Sequence, residues 1–231
     1  MNYRACCLIL GFLGCGATAD VLTVGEGQQY VTIQSAIDAA SDLDEIVVLE
    51  GTYTNGPNDV VDTAGKELWI HSDGGAEVTF ISGSGLGGGI ACTSGEGSNT
   101  VIEGFTIIDC AKDRGAGLYC DGSSPTIISC AFKNNIAEAW GGGVYATGGA
   151  SPSFELCDFE SNSANNGGGL GIFQNTSGAV SLLNCTFVEN IASSAGGAIR
   201  GNSAHVLSAV GCWFEANIAN VGGAIRIQSS T

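Results

Sequence analysis

The densest cluster of charge in this chain is Asp109-Cys110-Ala111-Lys112-Asp113-Arg114. Paired carboxylates are the oxygen ligands that a hard cation such as calcium takes. A basic side chain beside them can hold or remove a proton. Asp109, Lys112, Asp113 and Arg114 are therefore the catalytic candidates. A second carboxylate pair, Glu160 and Glu215, has the residue types for glycosidic hydrolysis, which needs two carboxyl groups about 5–10 Å apart. The competing reading is that charges beside a glycine turn are simply solvated. Nothing marks a Ser-His-Asp triad. No Cys-x-x-Cys occurs, and His71 and His205 lack metal-ligand spacing. The reading leans away from catalysis; no cofactor or metal is expected, calcium being the one ion with suitable residues.

What must position these residues is a repeat. Four times the chain spells an aromatic, two residues, an asparagine, one residue and an alanine: Phe132/Asn135, Phe159/Asn162, Phe187/Asn190 and Phe214/Asn217 lead to Ala137, Ala164, Ala192 and Ala219. The aromatics are 27, 28 and 27 residues apart. Each copy leads to a glycine-rich quartet starting at Gly141, Gly167, Gly196 or Gly222. Phe105 and Phe80 extend the aromatic series backward without the asparagine, so six units cover about 78–231. Short β-type runs separated by Gly, Asn and Ser, with no helical stripe, make each unit one coil of an all-β, single-stranded parallel β-helix, a solenoid. Coils then stack about 4.8 Å apart.

Stacking gives the repeated residues their jobs. Phe132, Phe159, Phe187 and Phe214 point inward, as do Cys130, Cys157, Cys185 and Cys212, each two residues earlier. Asn135, Asn162, Asn190 and Asn217 form an amide ladder at a turn, where asparagine also tolerates left-handed φ. The seven cysteines from Cys92 onward are expected to be buried and reduced, and Cys110 falls in the small-residue register of Ala137 and Ala164. Tyr119, Tyr145, Gly171, Arg200 and Arg226 share a register just after the quartets. This stripe is the binding candidate if it faces outward; inward packing of the tyrosines is the alternative.

Residues 1–19 read as a secretory signal: Arg4, the apolar run Ala5–Gly14, and Ala17-Thr18-Ala19 before Asp20. Elsewhere no apolar run is long enough for a membrane-spanning helix. Removal of Arg4 with the leader leaves 23 acidic and 6 basic side chains, a net charge of −17. That charge excludes nucleic acid and disfavours anionic membrane surfaces. Of two sequons, at Asn175 and Asn184, the second abuts the inward Cys185. Residues 20–56 are an N-terminal cap, with Thr32 starting a helix whose Ile33, Ala36, Ile37 and Ala40 share a face. At the other end an open coil edge is expected at Thr231, ready to stack on further repeats of a longer chain or on another chain.

The linked Phe-x-x-Asn and Gly-Gly-Ala-Ile motifs, the latter literal at Gly196–Ile199 and Gly222–Ile225, resemble the repeats of the chlamydial polymorphic outer membrane proteins. The segment from Tyr30 to Ile37 and on through Ile46 to Tyr53 is similar to the start of pectate-lyase-like right-handed β-helix proteins. The resemblance implies a right-handed helix and an exported protein, secreted or at the outer membrane surface. It implies an adhesin-like passenger binding a surface protein or polysaccharide. The pectate-lyase side implies the alternative: calcium-held acidic sugar and proton abstraction by a basic residue, or a hydrolase on the same fold. A structural surface-assembly module is the third reading.

Overall fold

A computed structural model describes residues 19–173, 177–202 and 206–228. The signal sequence up to residue 18, the sequon residue Asn175, and His205 lie outside the described residues. One turn of the chain shows the design. Thr126–Ile128, Ala131–Lys133, Ile136–Trp140 and Val144–Thr147 are four short strands on four successive faces. Every strand pairs in parallel with the corresponding strand of the turns before and after it. The four sheets hold 8, 7, 5 and 7 strands in that order of faces. The result is an all-β, right-handed parallel solenoid of about 7 turns. It has one turn more than the six repeat units because Glu45–Val48, Gly51–Tyr53 and Val61–Asp62 make a turn of their own, the first two of them within the 20–56 segment expected to be only a cap.

Single left-handed residues make the corners. Ser129, Leu156 and Asn184 turn the first face into the second, with φ of 49°, 54° and 53°. Asn134, Ser161, Glu189 and Ala216 turn the second into the third. Gly141, Gly167, Gly196 and Gly222 turn the third into the fourth, near φ 64–66°. Here glycine is required twice over, because a Cβ on Gly141 would lie 2.1 Å from the Val144 carbonyl oxygen. The left-handed bend at the second corner thus belongs to the residue before each ladder asparagine. The asparagine itself is there for its amide.

That amide ladder is continuous. Asn135 Nδ2 donates to Asn162 Oδ1 at 3.0 Å, Asn162 to Asn190 at 3.0 Å and Asn190 to Asn217 at 2.9 Å. Each second amide hydrogen goes to a backbone carbonyl of the preceding coil, as from Asn162 to Phe132 O at 2.8 Å. Beside the ladder the rings of Phe132, Phe159, Phe187 and Phe214 stack with centroids 5.1, 4.3 and 5.1 Å apart. Cys130, Cys157 and Cys185 are buried and free, and Cys212 is half-buried and free.

The register of the early copies differs from the aromatic spacing. Phe132 sits on Ile107, which sits on Ile81. Phe105 instead occupies the cysteine column, where its backbone N–H meets Cys130 Sγ, and Phe80 pairs with Thr106. The bends decide this. Gly104 before Phe105 and Asp109 before Cys110 carry the left-handed φ that precedes the cysteine and the asparagine in later coils. Cys110 is therefore not in the alanine register. It stands in the asparagine column, and its N–H donates to Asn135 Oδ1 at 3.0 Å. Burial is the main reason its thiol is pushed up to about 12. Cys110→Asn adds a rung of similar volume, with an amide that can reach Asn135. It is expected to stabilise by about 0.5–1 kcal/mol, the net worth of a hydrogen bond, read as a rise in denaturant midpoint at unchanged m.

The N-terminal helix forms where the sequence predicts it. The helix α1 spans Ile33–Ala39, Thr32 accepts from the Ser35 N–H, and Ile33, Ala36, Ile37 and Ala40 are buried. Its C-terminal carbonyls are held from outside the helix: Lys66 Nζ donates to Ile37 O at 2.6 Å and Ala40 O at 2.7 Å. No helix among the described residues is long and apolar enough to cross a membrane.

Candidate binding groove

The third corner folds two strands against each other on the outside of the rod. Its glycine lets the fourth-face residue four positions later lie close to the corner: a Cβ on Gly141 would be 3.0 Å from Tyr145 Cα, and one on Gly196 2.9 Å from Arg200 Cα. Those residues form the stripe expected from the repeat. Tyr119, Tyr145, Gly171, Arg200 and Arg226 pair in one column, with the inward Leu118, Val144, Leu170 and Ile199 beside them. Facing them across the corner is a column on the third face: Arg114, Trp140, Asn166, Ala195 and Val221.

The two columns touch. Tyr119 and Tyr145 stack at 5.7 Å, and Trp140 lies 6.4 Å from Tyr145 and 4.8 Å from Phe173. Arg114 sits over the Tyr145 ring and Arg200 over the Trp140 ring, each with Cζ 6.0 Å from the centroid. Tyr145 therefore occupies an outward strand position and is still only 1% exposed. It is neither solvated nor turned into the core; burial raises its phenol. Gly171 interrupts the stripe for a steric reason, since a Cβ there would meet the Gly141 backbone nitrogen at 2.8 Å. The strand carrying Trp140 also shifts register between Ile136 and Trp140. Such a bulge re-aims the side chain at its end.

Arg200 is 8% exposed. Its Nη2 donates to Gln228 Oε1 at 2.9 Å, while Nε and Nη1 are buried and have no partner among the described residues. Burial, and secondarily Arg226, lowers its pKa from the usual arginine value. Arg226, in the last described coil, is exposed.

The basic residues are sorted by type. All three described arginines, Arg114, Arg200 and Arg226, line this groove. The three lysines are occupied elsewhere. Lys66 caps α1, Lys112 is bound to both Asp59 oxygens at 2.8 Å, and Lys133 pairs with Glu160 at 2.8 Å. Arginine is the cation suited to planar recognition of anions and to stacking on aromatic rings.

The charged candidates Asp109, Lys112, Asp113 and Arg114 do not converge. Asp109 is the left-handed residue at the second corner. The others lie in a strand, Ala111–Arg114, rather than in a loop, so successive side chains alternate between faces. Lys112 is turned to Asp59, and Asp113 pairs with Arg114 at 3.2 Å on the surface. Glu160 and Glu215 do share a column, separated by Val188. Two strand spacings of about 4.8 Å lie between them. Glu160 is committed to Lys133, and Glu215 accepts from Trp213 Nε1 at 3.2 Å. Among the described residues no three His, Cys, Asp or Glu side chains gather as a metal site would need. A cavity of about 550 Å³ lies beside the cap, lined among others by Glu26, Thr32, Gln34, Glu50 and Tyr53.

Sequence reasoning missed Trp140, Phe173 and the groove position of Arg114. One signal was available: Arg114 and Trp140 each stand immediately before the first glycine of a quartet.

The profile described as "Right handed beta helix region" matches residues 29–187 and, overlapping, 113–230. The chain belongs to the right-handed β-helix family. Among curated proteins none matches it. Among solved structures, the pectin methylesterase from Aspergillus niger is similar at 16% identity, over 93% of this β-helix and 87% of that chain, with a TM-score of 0.35. That superposition is too loose to carry any residue of the esterase across.

Proposed function

We propose that this right-handed β-helix is an exported binding module, adhesin-like, of the passenger type its repeats resemble, and that it binds through the groove between its third and fourth faces. The observation that carries this reading is the gathering of every described arginine with Trp140, Tyr119, Tyr145 and Phe173 along one line of a rod whose net charge is −16. A local reversal of charge sign lined with aromatic rings suits a partner with anionic groups and flat apolar faces, whether a surface polysaccharide or a surface protein. The occupied state of Lys112, and the commitment of Glu160 to Lys133, support binding over catalysis. The leader-like residues 1–19 and the resemblance to surface-displayed repeats support secretion or display.

The test is binding of purified protein to whole cells and to immobilised polysaccharides at low salt. Wild type is compared with Arg114→Gln/Arg226→Gln, a double variant that leaves the core alone. Binding that falls at least tenfold in the variant, and falls as salt rises, is the expected result. Equal binding by both proteins would sink the groove. Release of unsaturated or reducing sugar ends from polyuronates would replace the binding reading with the enzymatic one.

A further inference from the structure

Arg200 is an unusual group to leave half-paired. A buried guanidinium without hydrogen-bond partners costs free energy, and buried charges in folded proteins are ordinarily paired. Its neighbours explain only part of its environment. Gln228 takes Nη2, and Cζ lies over the Trp140 ring at 6.0 Å from its centroid. Nε and Nη1 remain without a partner among the described residues. The charge nearest in its own column, Arg226, is of the same sign. No acidic side chain shares either column of the groove at this level: the third-face residues beside it are Asn166 and Ala195, and the fourth-face residue below it is Gly171. The protein thus supplies a planar cation, an aromatic platform and a neutral amide, and withholds the anion.

We propose that Arg200 is a carboxylate seat. The exposed Gln228 side chain that covers Nη2 gives way to the ligand, whose carboxylate then accepts from the guanidinium groups shielded here, and the body that carries it lies against Trp140. This inference rests on the groove being the binding face. A carboxylate is favoured over a phosphate because the seat offers a single desolvated arginine, so one charge is matched by one. The carboxylate source can be a saccharide or a peptide side chain, and the same chemistry serves both.

The probes are small carboxylates titrated into the full chain: glucuronate for the saccharide source and N-acetylglutamate for the peptide source. Each has its neutral amide as control. Binding is read from the ¹⁵N resonance of the Arg200 Nε–H group in the wild type. Arg200 is assigned by the signal missing from Arg200→Lys. Saturable shift of that resonance by a carboxylate, with affinity at least tenfold above its amide, is the expected result. The preferred acid identifies the source. Arg200→Lys keeps the charge and loses the planar donor set, so it is expected to weaken the acid at least fivefold. An amide that binds as well as its acid, or an Arg200 resonance unmoved by about 50 mM of either acid, overturns the seat. If Arg200→Lys unfolds, Trp140→Phe, which keeps a smaller ring at the half-exposed platform, replaces it, with the same amide comparison. The cell-binding comparison of the Arg114/Arg226 variant stands apart: the groove can bind while the seat fails, and those two results separate the two claims.

Discussion

Asn162→Ala is expected to lower the unfolding free energy by about 3–5 kcal/mol, among the largest effects of any single substitution in this chain. The wild-type amide is fully buried. It donates to Phe132 O and Asn190 Oδ1, and it accepts from both the backbone N–H and the side-chain amide of Asn135, at 2.8–3.1 Å. Truncation removes the bonds to Phe132 O, to the Asn135 backbone N–H and to one Asn135 amide hydrogen, each costing about 1–3 kcal/mol before relaxation, while Asn190 Oδ1 keeps the residue-162 backbone N–H. The costs do not add fully, because the rungs belong to one network. For a chain of this size the loss corresponds to about 10 °C in midpoint. Asn162→Asp keeps the acceptor for Asn135 but turns a negative oxygen toward Phe132 O and Asn190 Oδ1. At neutral pH it is expected to be at least as damaging, with recovery in acid as the carboxyl gains a proton to donate. Thermal unfolding at pH 7 and pH 4 checks both variants. A midpoint within about 2 °C of wild type for either would mean the ladder is ornamental.

Glu96→Gln is the second large effect, and it carries a pH signature. Glu96 is 2% exposed and its carboxylate is fully committed. Thr63 Oγ1 and the Gly65 N–H donate to Oε1 at 2.6 and 2.8 Å; Ser123 Oγ and the Ser94 N–H donate to Oε2 at 2.6 and 2.9 Å. Burial pushes the carboxyl up, but the hydrogen bonds, led by those from Ser123 and Thr63, outweigh it and leave the pKa below the usual glutamate value. A depressed folded pKa means that ionised Glu96 contributes stability above the unfolded value of about 4.3. That contribution is lost as pH falls through the folded pKa. Glutamine keeps one acceptor oxygen and presents an NH₂ to the other two donors, so a loss of about 2–4 kcal/mol is expected at pH 7. The gap between wild type and variant should shrink below pH 4. A gap that is constant from pH 7 to pH 3, or absent at pH 7, would show that the carboxylate is not the tie between these turns.

The contrast between these two sites shows what the sequence could reveal. The asparagine ladder was legible because stacked parallel strands force identical neighbours into contact, and identical neighbours at a fixed period are visible in one dimension. The same logic located Tyr119, Tyr145, Arg200 and Arg226 in one column. It misplaced Phe105 and Cys110 because counting aromatics ignored the bends, and the left-handed residues at Gly104 and Asp109 carry the true register. Glu96 was invisible. It lies in the connection between Cys92 and Val101, which is longer than the matching links of the other coils and follows no repeat, and its four donors come from three separate stretches of chain. Trp140 went unnoticed because the groove is made by residues on two faces, and periodicity reports one face at a time.

The corners impose a rule on how such a rod can change. In the last five turns three of the four bends are single residues locked in a left-handed conformation, and a strand of three to five residues separates each from the next. Adding a residue inside that stretch would rotate every later side chain out of its column. The fourth bend is a longer link that also holds left-handed residues, such as Gly122 and Gly148, and its length varies from the short link between Asp121 and Thr126 to the long one between Cys92 and Val101. Insertions are therefore channelled to one edge of the rod. Along that edge an evolving or engineered chain can hang a different loop on every turn, about 4.8 Å from the last, while the core and the opposite groove keep their addresses.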